Sequence, residues 1–241
     1  MIDIKNLIFS YGQDFTLAVD ELNLPDKGFV SLIGPNGSGK TTLLRILAGL
    51  LKEHTGEVIV CGKNIKQLSK EEMAEKVAYV PVYVRPDNPV TVRELILSGA
   101  YRYGGDADIS QVTELCGIEK MLEKSVYSIS SGEMKRVLIA RALIQKTDIV
   151  IMDEPFANLD PNYEIRVMEL IREIAKEKLI IAAVHNVTLA SVISDRIAGL
   201  KEGRLAFYTE KKVDAKILKD LYSSEFITIN DHPYPDYFSV R

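Results

Sequence analysis

Between Gly34 and Thr41 the chain reads GPNGSGKT, three glycines among small residues, closed by a lysine and a threonine. That arrangement suits a polyanion. Glycines let successive backbone amides turn toward one ligand, Lys40 adds a point charge, and the Thr41 hydroxyl is a hard oxygen of the kind Mg²⁺ takes. The apolar run FVSLI precedes the loop and a helical pattern from Lys40 to Ala48 follows it, which is the strand, loop and helix setting of a phosphate-binding loop. Gly34, Asn36, Gly37, Ser38, Gly39, Lys40, Thr41 and Thr42 are the expected phosphate contacts.

DIVIMDE, Asp148 to Glu154, has the pattern of a buried strand ending in two carboxylates. Alternation along a strand sends neighbouring side chains opposite ways, so Asp153 and Glu154 cannot share a role: one can sit near a metal and the other near an attacking water. His185 closes the next apolar run, LIIAAVH, at the edge where open α/β sheets bind ligands, and its placement favours a contact to the terminal phosphate. His54, beside a turn glycine, and His232, in a proline-rich tail, have no metal-ligand spacing. Tyr11, ahead of Gly12, is a candidate to stack on a nucleobase. A second polar turn, SISSGE from Ser128, opens a pattern in which Met134, Val137, Leu138 and Ala142 recur at helical spacing. Its Ser-Ser-Gly run predicts helix N-terminal amides open to an anion, although the phosphate loop lies far upstream.

Short apolar runs alternate with helical patterns: FVSLIG then Lys40 to Ala48, DIVIMD then Pro161 to Ala175, LIIAAVH then Val187 to Ser194. This rhythm predicts an α/β domain with a mostly parallel sheet. The first thirty residues break it, since IDIKNLIFSYG and FTLAVDELNL are strand-like with no helix between them, and they predict an antiparallel flap. Between Pro86 and Lys146 no strand pattern occurs. Thr91 to Glu94 forms a capping box opening a helix, and Asp108 to Cys116 predicts another stopped by Gly117. The expected division is one domain over 1–241: an α/β core with its flap at 1–85 and 146–210, an inserted helical subdomain at 86–145, and a C-terminal helix and tail at 211–241. The helix is expected near Asp214 to Tyr222, and the prolines of DHPYPDYFSVR argue against regular structure after it.

A chain of 241 residues, 46% apolar and 27% charged, can bury a sizeable core. Its net charge of -4 argues against a nucleic-acid surface built on bulk positive charge. Two cysteines, Cys61 and Cys116, argue against a disulfide framework and make a reducing compartment the default. The N-terminus has acids and bases before any apolar run, unlike a signal peptide, and no apolar run approaches the roughly 20 residues that span a bilayer.

In their order, these motifs resemble the nucleotide-binding subunits of ATP-binding cassette (ABC) transporters over nearly the whole chain: Tyr11, GPNGSGKT, YVPV at Tyr79 to Val82, ISSGE at Ile129 to Glu133 running into KRVLIARAL, IVIMDEP, NLD at Asn158 to Asp160, and VHN at Val184 to Asn186. The phosphate loop is common to many NTPases, whereas the signature-like turn is much more specific. The resemblance implies a P-loop NTPase (RecA-like) core with a mostly parallel sheet, an N-terminal antiparallel β subdomain and an inserted α-helical subdomain. It implies ATP and Mg²⁺, with Tyr11 on adenine, Lys40 on the β and γ phosphates, Thr41 and Asp153 on Mg²⁺, Glu154 activating water and His185 sensing the γ-phosphate. It also implies a head-to-tail dimer in which Ser130 and Gly132 of one copy cap the γ-phosphate held by the other, with Asp160 linking the two sites. The implied partners are transmembrane permease subunits, a second copy of the chain and, for an importer, a substrate-binding protein acting indirectly; nucleic acid is not among them. The implied location is peripheral, on the cytoplasmic face of the membrane. AKILKDLYSSEF resembles the tail of cassettes serving importers of iron chelates, haem or cobalamin. The alternatives are an assembly-type cassette ATPase outside transport and a low-turnover regulatory cassette. Three positions depart from the pattern: Val82 where glutamine is usual, Ser131 for the first signature glycine, and Asn186 for a common aspartate. Valine can neither bind Mg²⁺ nor orient water, and Ser131 would resist a positive φ.

Overall fold

A computed structural model describes residues 1–84, 87–103, 107–210 and 213–236. The expected subdomain boundaries at 85–86 and 211, and tail residues 237–241, lie outside the described residues.

Alternating apolar residues form β1 (Ile2–Tyr11) and β2 (Phe15–Leu24), which pair antiparallel from Ile2↔Leu24 to Tyr11↔Phe15. β3 (Gly28–Ile33) leads through the glycine loop into α1 (Lys40–Leu47). β4 (Thr55–Val60) pairs antiparallel with β1, and β5 (Lys63–Asn64) follows it. Next come α2 (Lys70–Lys76) and β6 (Val77–Val80), then α3 (Val92–Leu97), α4 (Ser110–Cys116) and α5 (Ser131–Leu143). The chain returns to the sheet as β7 (Ile149–Asp153), followed by α6 (Pro161–Ala175), β8 (Leu179–Ala183), α7 (Val187–Ile193), β9 (Arg196–Lys201) and β10 (Arg204–Glu210). α8 (Ala215–Tyr222) and the hairpin β11 (Phe226–Ile229) and β12 (His232–Pro235) end the described chain.

The larger sheet runs β5-β4-β1-β2-β10-β9-β3-β8-β7-β6. From β9 to β6 neighbouring strands are parallel, while the flap strands are antiparallel and join through the bridge Arg204↔Ala18. Period-two alternation splits the core in two. Val30, Leu32, Ile149, Ile151 and Ile181 pack with α1 and the flap, and Phe29, Val150, Met152, Ile180 and Ala182 pack with α5 and α6.

Local chemistry starts and stops the helices where the sequence predicts. The Thr91 hydroxyl accepts the Glu94 N–H at 3.2 Å and the Glu94 carboxylate accepts the Thr91 N–H at 2.7 Å, closing the capping box of α3. Gly117 ends α4 in the left-handed region, at φ 61°.

The tail departs from expectation. Asn230 and Asp231, both at positive φ, make a two-residue turn between Ile229 and its partner His232, the geometry that suits a tight hairpin. Pro233 and Pro235 face Thr228 and Phe226, the positions that exchange no ladder bonds, so their missing N–H groups cost the hairpin nothing.

Candidate active site

β3, β8 and β7 are adjacent parallel strands, so the segments leaving their carboxyl ends converge. These are the phosphate loop, His185, and the Asp153-Glu154 pair. At the loop's start only glycine fits: Gly34 has φ 146°, and a Cβ there would lie 2.1 Å from the Leu200 carbonyl oxygen. A cleft of about 680 Å³ is lined by Tyr11, Asn36, Gly37, Ser38, Gly39, Lys40, Thr41, Thr42, Glu154 and His185. Gly34 and Asp153 do not line it, and reach it through Lys40 and Thr41, which bond to them.

Lys40 is buried, and its ammonium donates to the carbonyls of Gly34 and Pro35 at 2.7 and 2.9 Å. Burial lowers its pKa, and the nearby Glu154 and Asp153 carboxylates oppose that shift. The Ser38 hydroxyl is buried without a protein partner, a donor that suits a phosphate oxygen. Asp153 is only 1% exposed, and its Oδ1 accepts the Thr41 hydroxyl at 3.2 Å. Burial raises the Asp153 pKa, and the Thr41 bond works against that rise. Two hard oxygens so placed fit Mg²⁺.

Glu154 leaves the strand with φ 52°, a left-handed backbone that non-glycine residues adopt at a cost. Glu154 lines the cleft, whereas Asp153 is buried on Thr41. His185 Nε2–H donates to Glu154 Oε1 at 2.6 Å, so the histidine meets the second carboxylate directly. Tyr11 is 43% exposed at the end of the flap hairpin, edge-on to Phe9 with ring centroids 4.7 Å apart.

Ser130, Gly132 and Asp160 lie outside this cleft. Ser130 and Ser131 border a second, more apolar cleft of about 490 Å³ with Val82, Tyr83 and Met134. The amides before α5 are less open than the sequence predicts: Glu133 Oε2 accepts the Ser130 N–H at 2.7 Å, and Ser130 Oγ accepts the Glu133 N–H at 3.2 Å. The amides of Ser131 and Gly132 remain without a partner inside the helix. Ser131 is the first helical residue, and no positive φ is required of it. Gly132 is held to glycine by close approach, since a Cβ would sit 2.7 Å from the Asn158 carbonyl. Asp160 Oδ1 caps α6, accepting the Asn162 and Tyr163 N–H groups at 3.1 Å, and Asn186 caps α7 just as well as an aspartate could. Val82 is 43% exposed, and its backbone carbonyl accepts from Lys135.

Three contacts escape the sequence reading. Phe15 lines the cleft beside Tyr11, a neighbour legible only once the hairpin register is known. The hydroxyl of Tyr222, on α8, accepts the Gly34 N–H at 2.9 Å, and burial pushes its pKa up to about 12. Lys135 is buried against the end of β7, where burial lowers its pKa against the pull of Asp153 and Glu154.

Comparison with known proteins bears on this geometry. Residues 17–157 match the family described as ABC transporter. The petrobactin import ATP-binding protein YclP of Bacillus subtilis is 29% identical over 99% of this chain and 100% of its own length. The petrobactin import ATP-binding protein FpuC of Bacillus anthracis is 34% identical over 86% of this chain and 80% of its own. Among solved structures, an inward-facing putative metal-chelate type ABC transporter superposes with a TM-score of 0.81 at 19% identity, covering 100% of this chain and 99% of the compared one, a likeness of fold.

Proposed function

The chain belongs to the ABC transporter family as an ATP-binding ATPase, and we propose that it powers a membrane importer of metal chelates such as iron-siderophore, haem or cobalamin. In this role it works as two copies beneath separate permease subunits, peripheral on the cytoplasmic face, with a substrate-binding protein delivering cargo from outside. No helix among the described residues is long and apolar enough to cross a membrane.

ATP lies with its adenine against Tyr11 and its phosphates on the loop amides, and Lys40 exchanges the carbonyls of Gly34 and Pro35 for the β and γ phosphates. Thr41 and Asp153 would hold Mg²⁺, which supplies charge neutralisation of the phosphates when bound. Glu154 takes a proton from water as the water oxygen bonds to the γ-phosphorus. The bond from that phosphorus to the bridging oxygen breaks, and its electron pair leaves with ADP. His185, donating to Glu154, orients the base and meets the γ-phosphate. The Ser131 and Gly132 amides and the Ser130 hydroxyl cap the γ-phosphate of the second copy, and Asp160 lies at the junction of the two sites.

The 2.6 Å bond between His185 and Glu154, facing the phosphate-loop cleft, carries the hydrolytic assignment, and the likeness to import ATP-binding proteins supports the importer role. Glu154→Gln should keep ATP affinity and lower phosphate release by about 10² or more, while ATP with Mg²⁺ holds two copies together in size-exclusion chromatography. Native turnover in Glu154→Gln would refute the assignment of the base. For cargo, cells lacking the chain should lose uptake of a labelled ferric siderophore, haem or cobalamin; undiminished uptake of all three would refute the importer role.

A further inference from the structure

Lys135 lies on α5, five residues past the Ser130 cap, and is only 3% exposed. Lysines so buried ordinarily have a carboxylate partner. Here the ammonium gives its protons to three backbone carbonyls instead: Pro81 at 3.3 Å, Val82 at 3.1 Å and Asp153 at 3.2 Å. Its three donors thus meet three acceptors.

Those acceptors belong to different parts of the site. β6 and β7 run paired as far as Val80↔Met152, and past that pair Lys135 bridges the two strands' outgoing chains. The Asp153 carbonyl is half of the peptide that enters the left-handed Glu154. The Pro81 and Val82 carbonyls lie where the chain enters the apolar cleft beside Ser130. One ammonium therefore ties α5, the segment at residue 82, and the backbone that aims Glu154.

We infer that Lys135 is a positioning residue for ATP hydrolysis, fixing the Asp153-Glu154 peptide against the residue 82 segment so that displacement of either α5 or that segment is felt at the Glu154 carboxylate. A hydrocarbon side chain at residue 82 cannot make such a link, and in this chain the backbone of residue 82 makes it through the lysine. The inference rests on Glu154 being the base.

Lys135→Met keeps the apolar stem and removes all donors, and Lys135→Gln restores two of them. In the purified full-length chain with ATP and Mg²⁺, Lys135→Met should lower kcat about tenfold or more with KM for ATP within about threefold, and Lys135→Gln should recover most of the loss. Amide hydrogen exchange in peptides covering 81–84 and 153–156 should quicken in Lys135→Met, and in Lys135→Gln by less but still above native in at least one of them. Native kcat in Lys135→Met, or equal losses in two variants that both melt near the native temperature, would overturn the inference. A rise in KM at native kcat would overturn it as well. Should Lys135→Met fail to fold, Lys135→Gln decides: with two donors for three carbonyls, exchange must quicken in at least one of the two peptides, and native exchange in both overturns the link. Glu154→Gln separates the two proposals. Native turnover there removes the base assignment and this inference with it, whereas an inactive Glu154→Gln beside a fully active Lys135→Met removes the lysine's role alone.

Discussion

Asp153 is buried, and its carboxyl titrates above the ordinary value because burial penalises the charge more than the Thr41 hydroxyl relieves it. A folded pKa raised above the unfolded one means that this group's contribution is fully present below the unfolded value of 3.8 and is lost as pH rises through the folded value. Above that range Asp153 therefore costs stability. Asp153→Asn should raise the melting temperature of the nucleotide-free protein while lowering Mg²⁺-dependent hydrolysis by about 10² or more, and a fall in melting temperature would contradict this account. Glu133 presents the opposite sign of problem. Its carboxylate holds the Ser130 N–H at the N-terminus of α5, where a phosphate of a second copy is proposed to arrive, and like charges there repel. Glu133→Gln can keep the capping box without the charge, so ATP-driven dimerisation should tighten by about threefold to tenfold, read from the concentration dependence of the dimer. No tightening would mean that the phosphate does not approach this cap. Val82→Gln, with the residue 82 carbonyl still held by Lys135, should raise hydrolysis about tenfold, worth roughly 1.4 kcal/mol of barrier, with a steeper Mg²⁺ dependence if an amide at that position assists catalysis. An unchanged rate would mean that residue 82 acts through its backbone alone.

At the level of elements, α2, α3 and α5 each open with a capping box, from Ser69 to Glu72, Thr91 to Glu94 and Ser130 to Glu133. Bonds from the cap backbone hold the carboxyl pKa of Glu72, Glu94 and Glu133 below the ordinary value of 4.5. A depressed folded pKa contributes stability above the unfolded value that is lost as pH falls through the folded one. All three helix starts should therefore weaken together below about pH 4.5, and Glu94→Gln should remove part of the acid sensitivity seen by thermal melting. An unchanged pH profile in that variant would exclude the α3 box as a contributor. The α3 box was visible in sequence because its two partners stand three residues apart. So was GPNGSGKT, since its ligand contacts come from one contiguous stretch. The Tyr222 bond to Gly34 spans 188 residues and leaves no local pattern, and Lys135 reaches Val82 across 53. The tail hairpin is not legible in sequence, because proline content is visible there while hairpin register, which decides whether a proline is harmful, is not. Ser130 and Glu133 stand at the same three-residue spacing, so the closed cap of α5 is legible by the same rule; the spacing does not show that the Ser131 and Gly132 amides stay open beside it.

Across the whole molecule, the C-terminal elements reach back to both ends of the site. Tyr222 of α8 holds Gly34, while β12 holds α7, the helix after His185, through Thr188 to the Pro233 carbonyl and Ser191 to His232. Tyr222→Phe leaves the Gly34 N–H without that acceptor, which should cost about 1–3 kcal/mol of stability and raise KM for ATP severalfold. The opposite problem is one that no contact within the chain solves: Lys40 and Ser130 belong to separate clefts, so a γ-phosphate held by Lys40 must meet Ser130 from another copy if both are to touch it. Mixing Lys40→Ala chains with Ser130→Ala chains then gives heterodimers in which one site carries both lesions and the other carries neither. Ser130→Ala also loses its helix cap, worth about 1 kcal/mol, so its folding must be checked by melting before the mixture is assayed. Each variant alone should be nearly inactive, and the mixture should recover hydrolysis to roughly a quarter of native, because half of random dimers are mixed and half of their sites are intact. Heterodimers that form under ATP and stay inactive would contradict independent sites shared between two copies.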